Sequence, residues 1–240
     1  MTANDVSYAL RQVATPQKAK ASAWFFKTGP GQYGEGDKFL GVTLPEQRAI
    51  AKKYKDLPLK DVEKLVTSPW HEERLTGLIT LVGQYKKGDE DKQKEIYDYY
   101  ISHTKNINNW DLVDTSAEYI VGTWLDGKPE KMKALKKLAN SDWLWDRRIA
   151  MLATFDYIKK GRADEAIEIA EQLLPDKHDL IQKAVGWMLR EIGKKIDRAT
   201  LIKFLDKHAA TMPRTSLRYA IEHLNPELKA HYMGLAKTNY

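Results

Sequence analysis

The sequence predicts an all-α protein, a curved stack of helical hairpins forming a superhelical α-solenoid, and three observations predict it. Apolar residues recur at spacings of three and four along most of the chain, and no segment shows sustained two-residue alternation bounded by turns. Helix starts carrying an aromatic or branched residue fall at Trp70, Trp110, Trp145, Ile181 and Leu217, separated by 40, 35, 36 and 36 residues. A second, shorter helix fits inside each interval.

A hairpin period of this size is HEAT-like: each pair buries its apolar side only by stacking on its neighbours, and the stack curves to present a concave face. The expected organisation is one domain over residues 1–240, with N-terminal helices in 1–28, a glycine-rich loop at 29–38, and repeats from about 43 to 236.

Asn4 to Ala14 is the first expected helix. Thr15-Pro16 then supplies an N-cap and a proline at the first helical position of the second, which runs to Lys27 with Gly29 as its stop. Gly29 to Lys38, GPGQYGEGDK, has four glycines and no periodicity, and reads as a mobile loop. It lacks the spacing of a dinucleotide fingerprint or a Walker loop, and no strand precedes it, so no phosphate-binding role is assigned to it. Thr43-Leu44-Pro45-Glu46 has capping-box spacing and opens a helix to about Lys55. Pro58 breaks the chain, Leu59 to Val66 is a short helix, and Ser68-Pro69 starts a longer one ending at Gly88. Further helices are expected at 91–103, 109–125, 130–139, 142–160, 163–173, 178–195, 198–209, 214–224 and 227–236.

The formal net charge is +6, and its distribution says more than its size. Lys177 to Arg218 holds ten Lys/Arg against four Asp/Glu, so this stretch carries the whole excess. Such a zone favours a polyanionic partner; a solvated basic surface is the plainer reading. The chain has no cysteine, which excludes disulfides, thiol catalysis and thiolate metal sites. There is no HExxH, no close histidine pair and no clustered carboxylates, so no metal and no cofactor are expected, and each of the six histidines reads as isolated. No apolar run nears the ~20 residues needed to span a bilayer, and no signal-peptide pattern opens the chain. A cytoplasmic monomer is the expectation.

Within 178–195, Leu180, Ile181, Ala184, Val185, Met188, Leu189 and Ile192 form one buried face. Lys183, Trp187, Arg190 and Lys194 fall on nearly the opposite side, which leaves a tryptophan outside the core with cations a turn to either side. Cations beside an exposed aromatic suit a nucleic-acid backbone and a sugar or base; the alternative is that Trp187 packs under a neighbouring helix.

In WDLVD, Asp114 sits at the edge of the stripe Val113, Ala117, Ile120, Val121 and Trp124, with Trp110 one turn before it on the same side. An acid half inside an apolar face needs either a structural partner or a chemical task. Asp111 reads as a first-turn acid favoured by the helix dipole. Arg148 projects among Leu144, Leu152 and Phe155 while Arg147 points outward; Arg148 must either meet a carboxylate or emerge to a phosphate.

These residues resemble the AlkD branch of the DNA alkylation repair enzymes, DNA glycosylases built from HEAT-like repeats. WDLVD at Trp110–Asp114 resembles the family's WDxVD, WLWDRRIAML its repeat with an arginine at Arg148, and IQKAVGWMLREIGK its IQKAxGWxLRE segment. LRYAIEHL with Arg218 resembles its REAIKHI segment, and FLGVTLPEQR its N-terminal FLGIxxPERR. The resemblance implies excision of cationic N3- or N7-alkylated purines from double-stranded DNA, with the base left in the duplex and an open concave groove in place of a deep base pocket. It implies Asp114 as the catalytic aspartate, Trp110 and Trp187 as the active-site tryptophans, Arg148, Arg190, Lys183 and Arg218 as DNA-binding cations, and a nucleoid-associated place in the cell. Two features depart from the pattern. The stretch at 29–38 has no counterpart, and nearest to the family's active-site tyrosine stand Phe25 and Phe26. Two other readings stay open: a non-enzymatic binder of branched or damaged DNA on the same fold, and a protein–protein scaffold.

Overall fold

The computed structural model describes residues 1–235, so the last expected helical position, Ala236, lies outside the described residues. The chain divides into two compact units, Met1–Ile120 and Val121–Tyr240. Every element of more than a single residue pair is helical, and the described residues hold no strand; an isolated parallel bridge joins Lys38 to Trp70.

The N-terminal unit contains α1 (Ala3–Val13), α2 (Pro16–Phe25), α3 (Leu44–Lys53), α4 (Leu59–Val66), α5 (His71–Tyr85), α6 (Glu90–Ser102) and α7 (Trp110–Ala117). Local chemistry sets their starts. Thr15 caps α2 with Pro16 in its first turn, and Thr43 and Glu46 close a reciprocal capping box on α3. The long helix expected after Ser68-Pro69 begins later, at His71, because the Ser68 hydroxyl accepts the Trp70 N–H at 3.1 Å and Trp70 becomes its N-cap. α5 is the core helix of this unit and packs against α3, α4, α6 and α7.

The C-terminal unit contains α8 (Thr123–Leu125), α9 (Lys131–Ala139), α10 (Leu144–Ala153), α11 (Phe155–Lys159), α12 (Asp164–Leu173), α13 (Asp179–Lys195), α14 (Arg198–His208), α15 (Arg214–Ala220) and α16 (Pro226–Leu235). Here α13 is central and packs against α10, α11, α12, α14 and α15. Two long helices expected from periodicity are broken. A π-helical turn at Glu118–Gly122 interrupts 109–125, and 142–160 starts at Leu144 and breaks at Thr154, whose hydroxyl donates to the Met151 carbonyl at 2.7 Å.

Gly186 permits the closest approach of α13 to α15. An added Cβ would stand 3.1 Å from the Ser216 carbonyl carbon and 2.5 Å from the Tyr219 Cβ, closer than such atoms pack. Gly186→Ala is therefore expected to destabilise the unit by about 1–3 kcal/mol, read as a lower thermal midpoint; an unchanged midpoint would show that the two helices part without strain.

Among the described residues no helix is long and apolar enough to cross a membrane.

Candidate active site

Asn109 caps α7, its side-chain carbonyl accepting the Trp110 N–H at 2.8 Å. From that start Trp110, Asp111, Asp114 and Thr115 share one face of the helix and line a cavity of about 550 Å³ in the N-terminal unit. Trp110 and Asp114 are both half-buried. Phe26 and Phe39 add further wall. Phe26 stacks on Trp110 with ring centroids 5.3 Å apart and 27° between planes, and on Phe39 at 5.2 Å. Phe25 instead meets Trp110 edge-on at 5.9 Å and is exposed, so Phe26 is the ring that faces the cavity, and it carries no hydroxyl. Arg48 and Lys86, both exposed, border the same space, with the Lys86 ammonium 3.7 Å from the Tyr119 ring centroid.

Against these rings lies a buried charge cluster that the sequence did not announce. His71, the first residue of α5 and 1% exposed, has Nδ1 3.0 Å from an Asp37 oxygen and Nε2 2.8 Å from an Asp111 oxygen. With a carboxylate at each nitrogen the ring is a double donor, an imidazolium. Burial opposes that charge, but Asp111 and then Asp37 outweigh it and raise the pKa to about 9. Burial likewise opposes ionisation of Asp37, yet His71 and Arg74 hold its carboxyl below the usual carboxylate range. Arg74 is ion-paired to Asp37, and the Asn109 amide donates to it at 3.3 Å. Two acids and two bases thus close a neutral set. Phe39 stacks on His71 at 4.6 Å and Phe26 lies 4.8 Å from it.

The structure corrects two expectations here. Asp111 does more than complement a helix dipole: it is half of the His71 clasp. The glycine-rich stretch is turn-rich, but its end is fastened through the buried Asp37.

In the C-terminal unit Trp187 is half-buried, with its ring centroid 6.0 Å from that of Phe155. The ammonium groups of Lys159 and Lys195 lie 4.5 and 5.8 Å from the Phe155 ring, so cations and aromatics are mixed around the indole. Lys183 pairs with Asp179 at 2.8 Å, Arg190 is ion-paired to Glu222, and Arg218 is exposed.

Arg148 is 5% exposed and donates to the Leu180 carbonyl at 2.6 Å. Its guanidinium is therefore not presented to solvent: it ties α10 to the first turn of α13, as an added donor to a carbonyl of that helix. Arg147, expected to point outward, is held by Asp176 at 2.7 Å and by the carbonyls of Ser141 and Asp142. A second cavity, of about 320 Å³, is lined by Arg190, Lys194, Arg198 and His223, and the Arg190 Nε within this unit is buried with no hydrogen-bond partner. Arg198 and His223 were not singled out from sequence, because the start of α14 and the turn after α15 meet α13 only in the fold.

Chemically, the first cavity combines a carboxylate with π-faces, a combination that attracts a cation. Among the described residues no group of three or more His, Asp or Glu is placed to hold a metal ion.

Comparison with known proteins agrees with this architecture. No curated protein matches the chain. Among solved structures it is similar to a protein described as a predicted DNA alkylation repair enzyme from Enterococcus faecalis, with a TM-score of 0.70 and 16% sequence identity, over 89% of this chain and 97% of that one; at this identity the likeness shows the fold. The model of the family described as DNA alkylation repair enzyme matches residues 6–224. That span includes every candidate residue named above, from Phe26 and His71 through Asp114 to Arg218, and on it the chain belongs to the DNA alkylation repair enzyme family.

Proposed function

We propose that this protein is a monofunctional DNA glycosylase that releases cationic N3- or N7-alkylated purines from duplex DNA. The observation that carries the reading is Asp114 in the wall of an aromatic-lined cavity, one turn from Trp110. Alkylation at N3 or N7 gives the purine a positive charge, so when the N-glycosidic bond breaks the base keeps the bonding electron pair and departs neutral, with no general acid needed. The sugar left behind has oxocarbenium character. The Asp114 carboxylate stabilises it and orients water, whose oxygen bonds to C1′ as its proton passes to solvent; Trp110 adds cation–π attraction. Trp187 keeps the active-site role that the resemblance implies. Retention of the base in the stack rests on the resemblance alone, since a cavity of about 550 Å³ would also admit an extruded base.

In this reading Lys183, Arg190 and Arg218 contact DNA phosphates, and Arg148 supports them by holding the start of α13. Lys194 and Arg198, exposed beside Arg190, join them. Lys194→Ala and Arg198→Ala are each expected to lower the slope of log affinity against log salt by about one for undamaged duplex. Slopes identical to wild type would place the DNA elsewhere.

The test of the reaction is chromatography of bases released from methylated duplex. Free 7-methylguanine or 3-methyladenine with an unbroken abasic strand supports it. Tight, salt-dependent binding of branched DNA without any released base supports a non-enzymatic DNA binder instead.

A further inference from the structure

We propose that Asp37, His71 and Asp111 form a clasp through which the glycine-rich segment positions the first turn of α7, so that His71 is a positioning residue for Trp110 and Asp114. The inference rests on reading the cavity beside α7 as the reaction site.

No side chain of residues 29–38 lines that cavity, so whatever the segment contributes, it contributes through others. The segment is built for it. Gly31 N–H donates to the Glu35 carboxylate at 2.8 Å, Gly34 N–H to the Lys27 carbonyl at 3.1 Å, and Asp37 N–H to the Gly34 carbonyl at 3.1 Å. The chain then delivers Asp37 to His71 Nδ1, while the backbone N–H of His71 donates to the Lys38 carbonyl at 2.8 Å. On the other side of the ring, Nε2 takes Asp111, which stands one residue after Trp110 and three before Asp114. Fixing Asp111 fixes the rotation of α7 about its axis, and so where both neighbours point.

The groups facing His71 are Asp37 from the segment, Asp111 from α7, and the rings of Phe26 and Phe39. Arg74, on the same helix as His71, and Asn109 act on it through Asp37. A neutral imidazole has one N–H and can satisfy one carboxylate, so loss of the ring's proton must release either the segment or α7. The folded pKa of about 9 lies above the ordinary 6.5, so the clasp is closed below that ordinary value and opens as pH rises through about 9.

The experiment compares full-length wild type, Asp37→Asn and His71→Gln. Single-turnover base release is measured from pH 6.5 to 10 beside affinity for undamaged duplex. Wild type is expected to hold its rate up to about pH 9 and then lose it. Asp37→Asn removes one of the two charges holding the proton and should move that limb down by about one unit or more. His71→Gln should remove the limb and lower the rate by about tenfold or more, with duplex affinity unchanged. A merely structural role would lower the melting temperature of both variants and leave the limb of Asp37→Asn in place, which overturns the proposal. Nuclear magnetic resonance supplies a reading free of activity: the Trp110 indole N–H signal should move with the same midpoint as the His71 ring protons. If wild type releases no base, the glycosylase reading fails, and this shared titration still decides the clasp. A Trp110 signal that stays fixed while His71 titrates overturns it.

Discussion

Asp114→Asn is expected to slow base release by about 10²–10³-fold while leaving affinity for duplex DNA within a few-fold of wild type. The substitution keeps the shape of the side chain in the wall beside Trp110 and removes its charge. A carboxylate stabilises positive charge that develops on the sugar only as the bond breaks, so its loss falls on the rate and not on ground-state binding. Removing a negative charge also cannot weaken attraction to a polyanion, so a large loss of affinity would signal a misfolded variant. Equal rates in the two proteins would take Asp114 out of the chemistry.

The second large effect concerns stability. Glu72 is 2% exposed, and its carboxylate accepts the backbone N–H groups of Leu40, Gly41 and Val42 at 2.8, 2.7 and 3.2 Å. These residues follow the glycine-rich segment and lead into α3. Glu72→Ala leaves three donors unsatisfied where water has little access, and each such group costs about 1–3 kcal/mol. Allowing for relaxation, a loss of about 3–5 kcal/mol is expected, seen as a fall of roughly 10 °C in the thermal midpoint of the transition that unfolds the N-terminal unit. Glu72→Gln, which keeps an acceptor, should lose about half as much. A Glu72→Ala protein that melts with wild type would mean the three amides find other partners.

How much of this the sequence shows follows from how local each feature is. Helices with a side-chain cap were legible because the signal lies within four residues, as at Thr15-Pro16 and Thr43–Glu46. The pairing of Trp110 with Asp114 on one face was legible for the same reason, since i and i+4 share a helix side. The π-turn at Glu118–Gly122 was not: Gly122 packs on the Ala153 carbonyl, more than thirty residues on, and periodicity carries no trace of that contact. His71 read as an isolated histidine because its partners stand 34 and 40 residues away on either side. Arg148 shows the limit of pattern reading. Its place among apolar residues signalled that its charge needed an answer, and only the fold supplies the Leu180 carbonyl.

The central claim is that a carboxylate in an aromatic-walled cavity stabilises a positively charged sugar. The most direct measurement is the affinity for duplex DNA carrying one cationic pyrrolidine nucleotide, a charged mimic of that sugar, against duplex carrying the neutral tetrahydrofuran analogue. Wild type should bind the cationic duplex about 10²-fold more tightly, and Asp114→Asn should bind the two alike. Equal affinities in the wild-type protein would contradict the account.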